Sequence, residues 1–440
     1  MGLFVQHYSK GGTYLRTPGF ISRLIRPGSI SRRTGTVLAG SVISKALSFA
    51  TMWLMVQYFA PEEFGCFSVI DTVNGFCSGA VANGLNWWLV RSVARGSGSS
   101  AAKKAARTIF VIEMIYGLAV GAALLIGAPF VAGWFFSKPE LVPFVRLSAV
   151  GVISYILVAY RSSLYHAFKL FFKDAVFNVV NSGLFFIAAL VVILVLRRGV
   201  LLLGTLYVVI PVVVSGIALL MPAFASRLKT HEEDDIHAET LPDRGYSWLL
   251  LYSISLWLAS QVHLLVMTRT RSLEELGAYA LAMKIYLVSL MLTNAINVVL
   301  LPEFSACRSR AEMRSRYGRI FKFTALGAAV IAAFIPLAGI ILGVIAGNRY
   351  IEATPILRIL LVGTAISTLL SPPVNVLFAE GRYRTIAIAG ASMALVNTAG
   401  QILLTPRYGA TVAAWVLVGS FLLMNGTFSI LASKLLSQPD

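Results

Sequence analysis

The sequence predicts an all-α polytopic membrane protein of about twelve transmembrane helices, built as two parallel six-helix repeats that form two lobes around a central cleft. Composition is the first observation behind it. The chain is 57% hydrophobic and only 13% charged, with a mean hydropathy of +0.78, whereas a soluble domain is about a quarter charged. The second is the hairpin from Thr36 to Arg95, whose arms Val37–Ala60 and Cys66–Val90 each exceed the ~20 apolar residues needed to cross hydrocarbon. The third is repetition. The turn Pro61-Glu-Glu-Phe-Gly65 returns 212 residues later as Leu273-Glu-Glu-Leu-Gly277.

Residues 1–35 come first. Met1–Arg33 carries Lys10, Arg16, Arg23, Arg26, Arg32 and Arg33, no acidic residue and no compact apolar stretch, so it reads as a basic amphipathic tail on the inner membrane surface and not as a cleavable signal peptide. Gln6 stands where a myristoylation signal requires Ser or Thr. The first span, 36–60, holds a single charge, Lys45, and the second, 66–90, ends in the cationic stretch Arg91–Arg95. Apolar runs over 108–136, 141–163, 176–197 and 200–224 complete a first lobe, 36–225. Residues 226–246 form the one extended polar stretch between spans and include Glu232-Glu-Asp-Asp235, a solvated cytoplasmic linker. The second lobe, 247–440, repeats the pattern with spans at 247–268, 277–301, 320–346, 355–378, 385–404 and 411–433. Pro129, Pro336 and Pro372-Pro373 are the expected bends, and Gly117-x-x-x-Gly121 and Gly339-x-x-x-Gly343-x-x-x-Gly347 the expected close-packing steps.

Charge sets the orientation. With both termini inside, the cytoplasmic segments hold 26 Lys and Arg and the outer ones seven, while Lys45, Arg146, Lys284 and Arg358 lie within spans. The net charge of +18 therefore reads as inner loops facing anionic membrane lipids, with no nucleic-acid partner implied. Cys66, Cys77 and Cys307 are too few and too scattered for a metal site.

The halves are related beyond the turn. The 212-residue offset also pairs Lys104 and Arg107 with Arg316 and Arg319. It further pairs Glu140, Pro143, Arg146 and Gly151 with Glu352, Pro355, Arg358 and Gly363. Charged residues and prolines are scarce here, so agreement in one register argues for duplication. Six spans per repeat return the chain to the same side, which makes the repeats parallel.

Three stretches carry a resemblance to a known family. They are Tyr58–Val69, Gly84-Leu85 with Leu89-Val90-Arg91 and Ala94-Arg95, and Asn397–Ala414 with Leu403-Leu-Thr-Pro-Arg-Tyr-Gly-Ala410. Together they resemble the polysaccharide transport family, the O-antigen flippase type of the multidrug/oligosaccharidyl-lipid/polysaccharide exporter superfamily. The resemblance implies alternating access by two six-helix lobes in the bacterial inner membrane. The cargo it implies is an undecaprenyl-pyrophosphate-linked oligosaccharide, moved to the periplasmic leaflet for O-antigen, capsule or exopolysaccharide synthesis. It implies a polysaccharide polymerase and assembly machinery as partners, and no enzymatic activity. Two places depart from the family: Asn83 stands where Asp is frequent, and Ser260-Gln-Val-His263 where the seventh span often holds Asp.

A charge at mid-bilayer costs ~3 kcal/mol on insertion scales, so each needs a reason. Lys45 and Lys284 are candidate contacts for a pyrophosphate, the plain alternative being an ion pair of Lys284 with Asp71. Arg91 and Arg161, at cytoplasmic helix ends, are candidates for the entering headgroup or are ordinary snorkelling cations. Asn74, Asn83, Asn86, Asn294 and Asn297 place amides along the second and eighth spans, to bind sugar hydroxyls or to join helices. Asp71 and Glu113 are the candidates for coupling to an H+ or Na+ gradient. No cofactor, catalytic set or metal site is expected. His263 has no partner at metal spacing.

Two other functions compete. An ion-coupled exporter of small cationic molecules from the same superfamily predicts an acidic cleft, and the candidates here are mostly cationic. A membrane glycosyltransferase needs a sizeable outer loop, and the outer connections span only about ten residues. A lipid II flippase of fourteen spans fits less well than the twelve-span reading.

Overall fold

The computed structural model describes residues 30–95, 100–168, 170–196, 199–221, 244–305, 307 and 309–438. The basic tail up to residue 29 and most of the acidic linker lie outside the described residues. So do the side chains of Asn83, Trp87, Trp88 and Arg91, on a backbone that is helical.

Among the described residues every regular element is helical. The first half comprises α1 (Ile30–Tyr58), α2 (Pro61–Arg95), α3 (Ser100–Phe130), α4 (Val142–Ala167), α5 (Phe171–Leu190) and α6 (Val200–Leu220). The second comprises α7 (Arg244–Thr270), α8 (Leu273–Ser305), α9 (Arg310–Ala333), α10 (Ala338–Ala346), α11 (Ala353–Leu369), α12 (Ser371–Ala379), α13 (Tyr383–Tyr408) and α14 (Ala410–Ser437). Eight of the described helices are long and apolar enough to cross a membrane, or up to ten if α9–α10 and α11–α12 each count as one bent span. The expected count of twelve is consistent with this, because α1 and α2 complete the set of rods. Large apolar side chains on the rod surfaces, such as Ile126 (81% exposed) and Leu220 (83%), mark faces made for lipid. The chain is a multi-pass membrane protein.

The prolines act unequally. Pro336 sits at the break between α9 and α10, which are bent by 56°, and Pro372-Pro373 open α12, bent by 43° from α11. A ring without an N–H both clashes and removes a helical hydrogen bond, so these breaks have a local cause. Pro129 lies inside α3, which continues into a wider π turn at Val131–Phe135, where the Phe136 N–H reaches the Val131 carbonyl at 2.9 Å. Both bent rods belong to the second half.

The described residues form two compact units. One holds the first half up to Phe59 and from Val69 to Thr240, and the other holds Ala60–Ser68 with Leu241–Asp440. The opening turns of α2 thus group with the second half of the chain. In the first unit Leu89, Val93, Ala106, Ile109 and Leu164 form a core joining α2, α3 and α4. There α3 presents one buried stripe, Ala106, Ile109, Glu113, Gly117, Gly121, Leu124 and Ala128, at spacings of three and four residues. A methyl at Gly117 would sit 3.0 Å from Ile156 Cδ1, and at Gly121 2.9 Å from the Ala149 carbonyl oxygen, so this step is the expected close seam against α4. The corresponding step in α10 differs. Gly343 and Gly347 have nothing within 4 Å of a built methyl, and Gly347, at φ +64°, ends its helix.

In the second unit Phe304, Val376, Ile386, Met393 and Phe428 anchor the core. Polar rungs run between α8 and α11: Ser289 Oγ donates to Thr364 Oγ1 at 3.3 Å, and the Thr293 and Thr368 hydroxyls lie 2.6 Å apart. Ser309 caps α9, its hydroxyl accepting from the Glu312 N–H at 3.2 Å.

Candidate functional site

The repeated Glu-Glu-x-Gly turn resolves into one contact in the second unit. Gly65 of α2 and Gly277 of α8 lie where those helices begin and touch backbone to backbone. A methyl on Gly65 would overlap the Leu273 carbonyl oxygen, and one on Gly277 would overlap the carbonyl oxygen of Pro61. Only a residue without Cβ permits that approach. The acidic residues beside them do different work. Glu63 Oε2 accepts from its own Ala60 N–H at 3.0 Å, a local cap. Glu275 reaches across: Oε2 accepts from Arg271 Nε at 2.7 Å, and Oε1 from the Ala410 N–H, at the first residue of α14, at 2.6 Å. Gly409, at φ +77°, makes that turn, and Arg271 Nη1 also donates to the Pro406 carbonyl at 3.4 Å. The sequence stretches Leu273–Gly277 and Thr405–Ala410 are therefore partners in space. Glu275→Ala is expected to cost about 1–3 kcal/mol, because it leaves a helix-opening N–H and the Arg271 Nε–H without their acceptor. Faster hydrogen exchange at Ala410 and its neighbours is the measurement that checks it.

The candidate binding residues separate into three kinds. Lys45 is exposed halfway along α1. The face of α1 that meets α5 runs through Gly40, packed on Ala175, and Ser44, whose hydroxyl lies 2.7 Å from that of Ser182, so Lys45 projects to one side of the seam. Lys284 is half-buried on α8 and Asn294 is exposed. Asn297 accepts at Oδ1 from Asn375 Nδ2 at 2.9 Å, an amide spent on joining α8 to α12.

A second kind is packed inside the first unit. Asn74 is buried against α4, where a methyl on Gly151 would overlap its amide, and among the described residues its Oδ1 has no hydrogen-bond partner. Asn86 is buried, and among the described residues neither amide atom has a hydrogen-bond partner. Asp71 accepts a short hydrogen bond from the Tyr207 hydroxyl of α6, and Tyr207 packs on Phe185 with ring centroids 5.2 Å apart.

The third kind is the charged knot around Arg161. Its side chain is 1% exposed, so it neither snorkels nor meets the aqueous surface. Nη2 lies 3.5 Å from Asp174 Oδ1 and makes a short hydrogen bond to Asn178 Oδ1, and the guanidinium lies 5.6 Å from the Phe177 ring centre. Asp174 also receives Ser162 Oγ at 3.1 Å, Asn178 Nδ2 at 3.2 Å and His166 Nε2 at 3.1 Å. The knot ties the end of α4 to the start of α5. Among the described residues Arg161 Nε and Nη1 have no hydrogen-bond partner. Asp174 was not singled out by sequence, although an acid 13 residues beyond an arginine and across a tight turn is a usable signal.

Glu113 belongs to none of these. It is fully buried in the stripe of α3, and among the described residues neither carboxylate oxygen has a hydrogen-bond partner. His263 is fully buried too, its Nδ1 3.2 Å from the Ala259 carbonyl and its ring edge-on to Tyr279. Among the described residues no cluster of His, Cys, Asp or Glu could hold a metal ion. A groove of about 310 Å³ lies between α13 and α14, lined by Ile388, Val396, Leu423 and Leu431 among others. It holds none of the candidate residues.

Comparisons with known proteins point one way. The family model described as polysaccharide biosynthesis protein matches residues 40–355. No curated protein sequence matches. Among solved structures, the lipid II flippase MurJ in an inward closed conformation aligns with a TM-score of 0.75 at 12% identity, covering 90% of this chain and 87% of that one. An inward-facing multidrug resistance MATE family transporter of the MOP superfamily aligns with a TM-score of 0.66 at 15% identity, covering 91% and 98%. A MOP superfamily transporter from Pyrococcus furiosus, described as having a binding pocket of reverse polarity, gives 0.61 at 15% identity, covering 92% and 95%. At these identities the likeness is one of fold.

Proposed function

Because the chain belongs to the polysaccharide biosynthesis protein family, we propose that it is an alternating-access flippase for an undecaprenyl-pyrophosphate-linked oligosaccharide. It moves this cargo from the cytoplasmic to the periplasmic leaflet of a bacterial inner membrane, with both termini in the cytoplasm, and so supplies surface polysaccharide synthesis. A polymerase and its assembly machinery take the product, and an ion gradient drives the cycle.

The observation that carries the reading beyond the family is Lys45, an exposed ammonium halfway along an apolar rod. A cation there costs ~3 kcal/mol on insertion, a cost that a pyrophosphate ligand can offset. Away from bulk water, a dianion attracts an ammonium several times more strongly than it does in solution. Lys284 supplies a second cation on the eighth span. An exporter of cationic molecules would meet repulsion from both.

In proteoliposomes, the protein is expected to expose a lipid-linked oligosaccharide to an impermeant lectin. Lys45→Ala and Lys284→Ala should each slow this by about tenfold or more, the loss of one charge-assisted contact, while the arginine variants keep most of the rate. Equal rates in wild type and both alanine variants would remove the lysines from the mechanism. A rate no higher than that of empty liposomes would remove the function.

A further inference from the structure

Glu113 stands apart from the other intramembrane acids. Asp71 holds a tyrosine hydroxyl and Asp174 a set of four donors, but among the described residues neither oxygen of Glu113 has a hydrogen-bond partner, and the residue is 0% exposed. It occupies the middle of the buried α3 stripe, between Ile109 and Gly117, where the neighbours on either side are packed against α4. The titratable groups that face this part of α3 are neutral and already engaged. The Tyr160 hydroxyl of α4 donates to the Ala106 carbonyl at 3.0 Å. The Tyr116 hydroxyl, one turn along α3, donates at 2.5 Å to the carbonyl of Cys77 on α2. No cation meets Glu113 among the described residues.

An ionised carboxylate in such a place carries an uncompensated desolvation cost of several kcal/mol, which protonation removes. We propose that Glu113 is a proton-binding site: it is held as the neutral acid in this conformation and gives up its proton when sliding of α3 along α4 admits water. The stripe that would slide is lined by Gly117 and Gly121, whose missing side chains leave a smooth track. Binding one proton here and releasing it in another conformation couples a proton gradient to the cycle, a role that rests on the flippase reading given above.

Infrared difference spectroscopy on the full chain in lipid nanodiscs tests the site without any substrate. Near neutral pH, wild type is expected to show the carbonyl stretch of a buried carboxylic acid, and Glu113→Gln to lose it. Should that variant misfold, dicyclohexylcarbodiimide, which labels protonated acids in apolar surroundings, is expected to modify the Glu113 peptide of the wild type, less so as pH rises. An ionised Glu113, seen as no lost band or no label, overturns the proposal. For the coupling, Glu113→Gln in proteoliposomes is expected to lose its response to a pH gradient while retaining downhill movement of lipid-linked oligosaccharide. A retained response overturns the coupling even if the acid is neutral. A protonated Glu113 in a protein that moves no such lipid would instead overturn the flippase reading and leave the site standing.

Discussion

Valine at Gly65 or at Gly277 is expected to remove most folded protein from the membrane. Each glycine faces a backbone carbonyl of the other turn, at Leu273 and at Pro61. A side chain there meets backbone, which cannot rotate aside, so both helix starts must separate. Over-packing of this kind costs about 3 kcal/mol, and alanine already introduces the clashing methyl. Because the two sites share one contact, the double variant should cost less than the sum of the two. Alanine at Gly127 or Gly419, where a methyl meets nothing within 4 Å, is the control and should leave stability unchanged or slightly higher. Thermal unfolding followed by size-exclusion chromatography of detergent-solubilised variants reads the difference.

The second large effect is expected at the knot between α4 and α5. Asp174→Leu leaves Arg161 charged and buried beside the neutral Asn178 amide and the Phe177 ring, a loss of ~3–5 kcal/mol. Adding Arg161→Met should recover most of that loss, since a well-packed apolar pair often replaces a buried ion pair at little cost. If the double variant stayed as unstable as Asp174→Leu alone, the damage would lie in the lost bonds to Ser162 and His166. The same double variant asks whether Arg161 handles cargo. A stable but inactive protein would assign the arginine to transport, and a stable, active one would make it a brace.

Much of the architecture was legible because lipid imposes a simple rule. Apolar runs of about twenty residues, interrupted by turns, had to be helices. The bends at Pro336 and Pro372-Pro373 followed from the missing N–H, whereas Pro211 and Pro406 lie inside helices that continue through them. The duplicated Glu-Glu-x-Gly turn was visible as a repeat, but its reason was not. That reason is a contact between residues 212 apart, and one sequence records no distances. The bond from Ala410 to Glu275 is hidden in the same way. Arg161 looked like a snorkelling cation because it stands near a helix end; its burial depends on how α5 folds back to bring Asp174 beside it. The threonine rungs between α8 and α11 were missed although they had a signal, since Ser289 and Thr293 on one span and Thr364 and Thr368 on the other share a four-residue step. Glu113 was picked out as a scarce acid in an apolar span; that it lies on the packed face of α3 is visible only in the structure.

The central claim is that this protein carries a lipid-linked oligosaccharide, and the lipid-carrier pool of a strain lacking the gene tests it most directly. Mass spectrometry of that pool is expected to show one undecaprenyl-pyrophosphate oligosaccharide building up and clearing when the wild-type gene is restored. An unchanged pool, in cells with the glycan pathway active and related flippases absent, would contradict the claim.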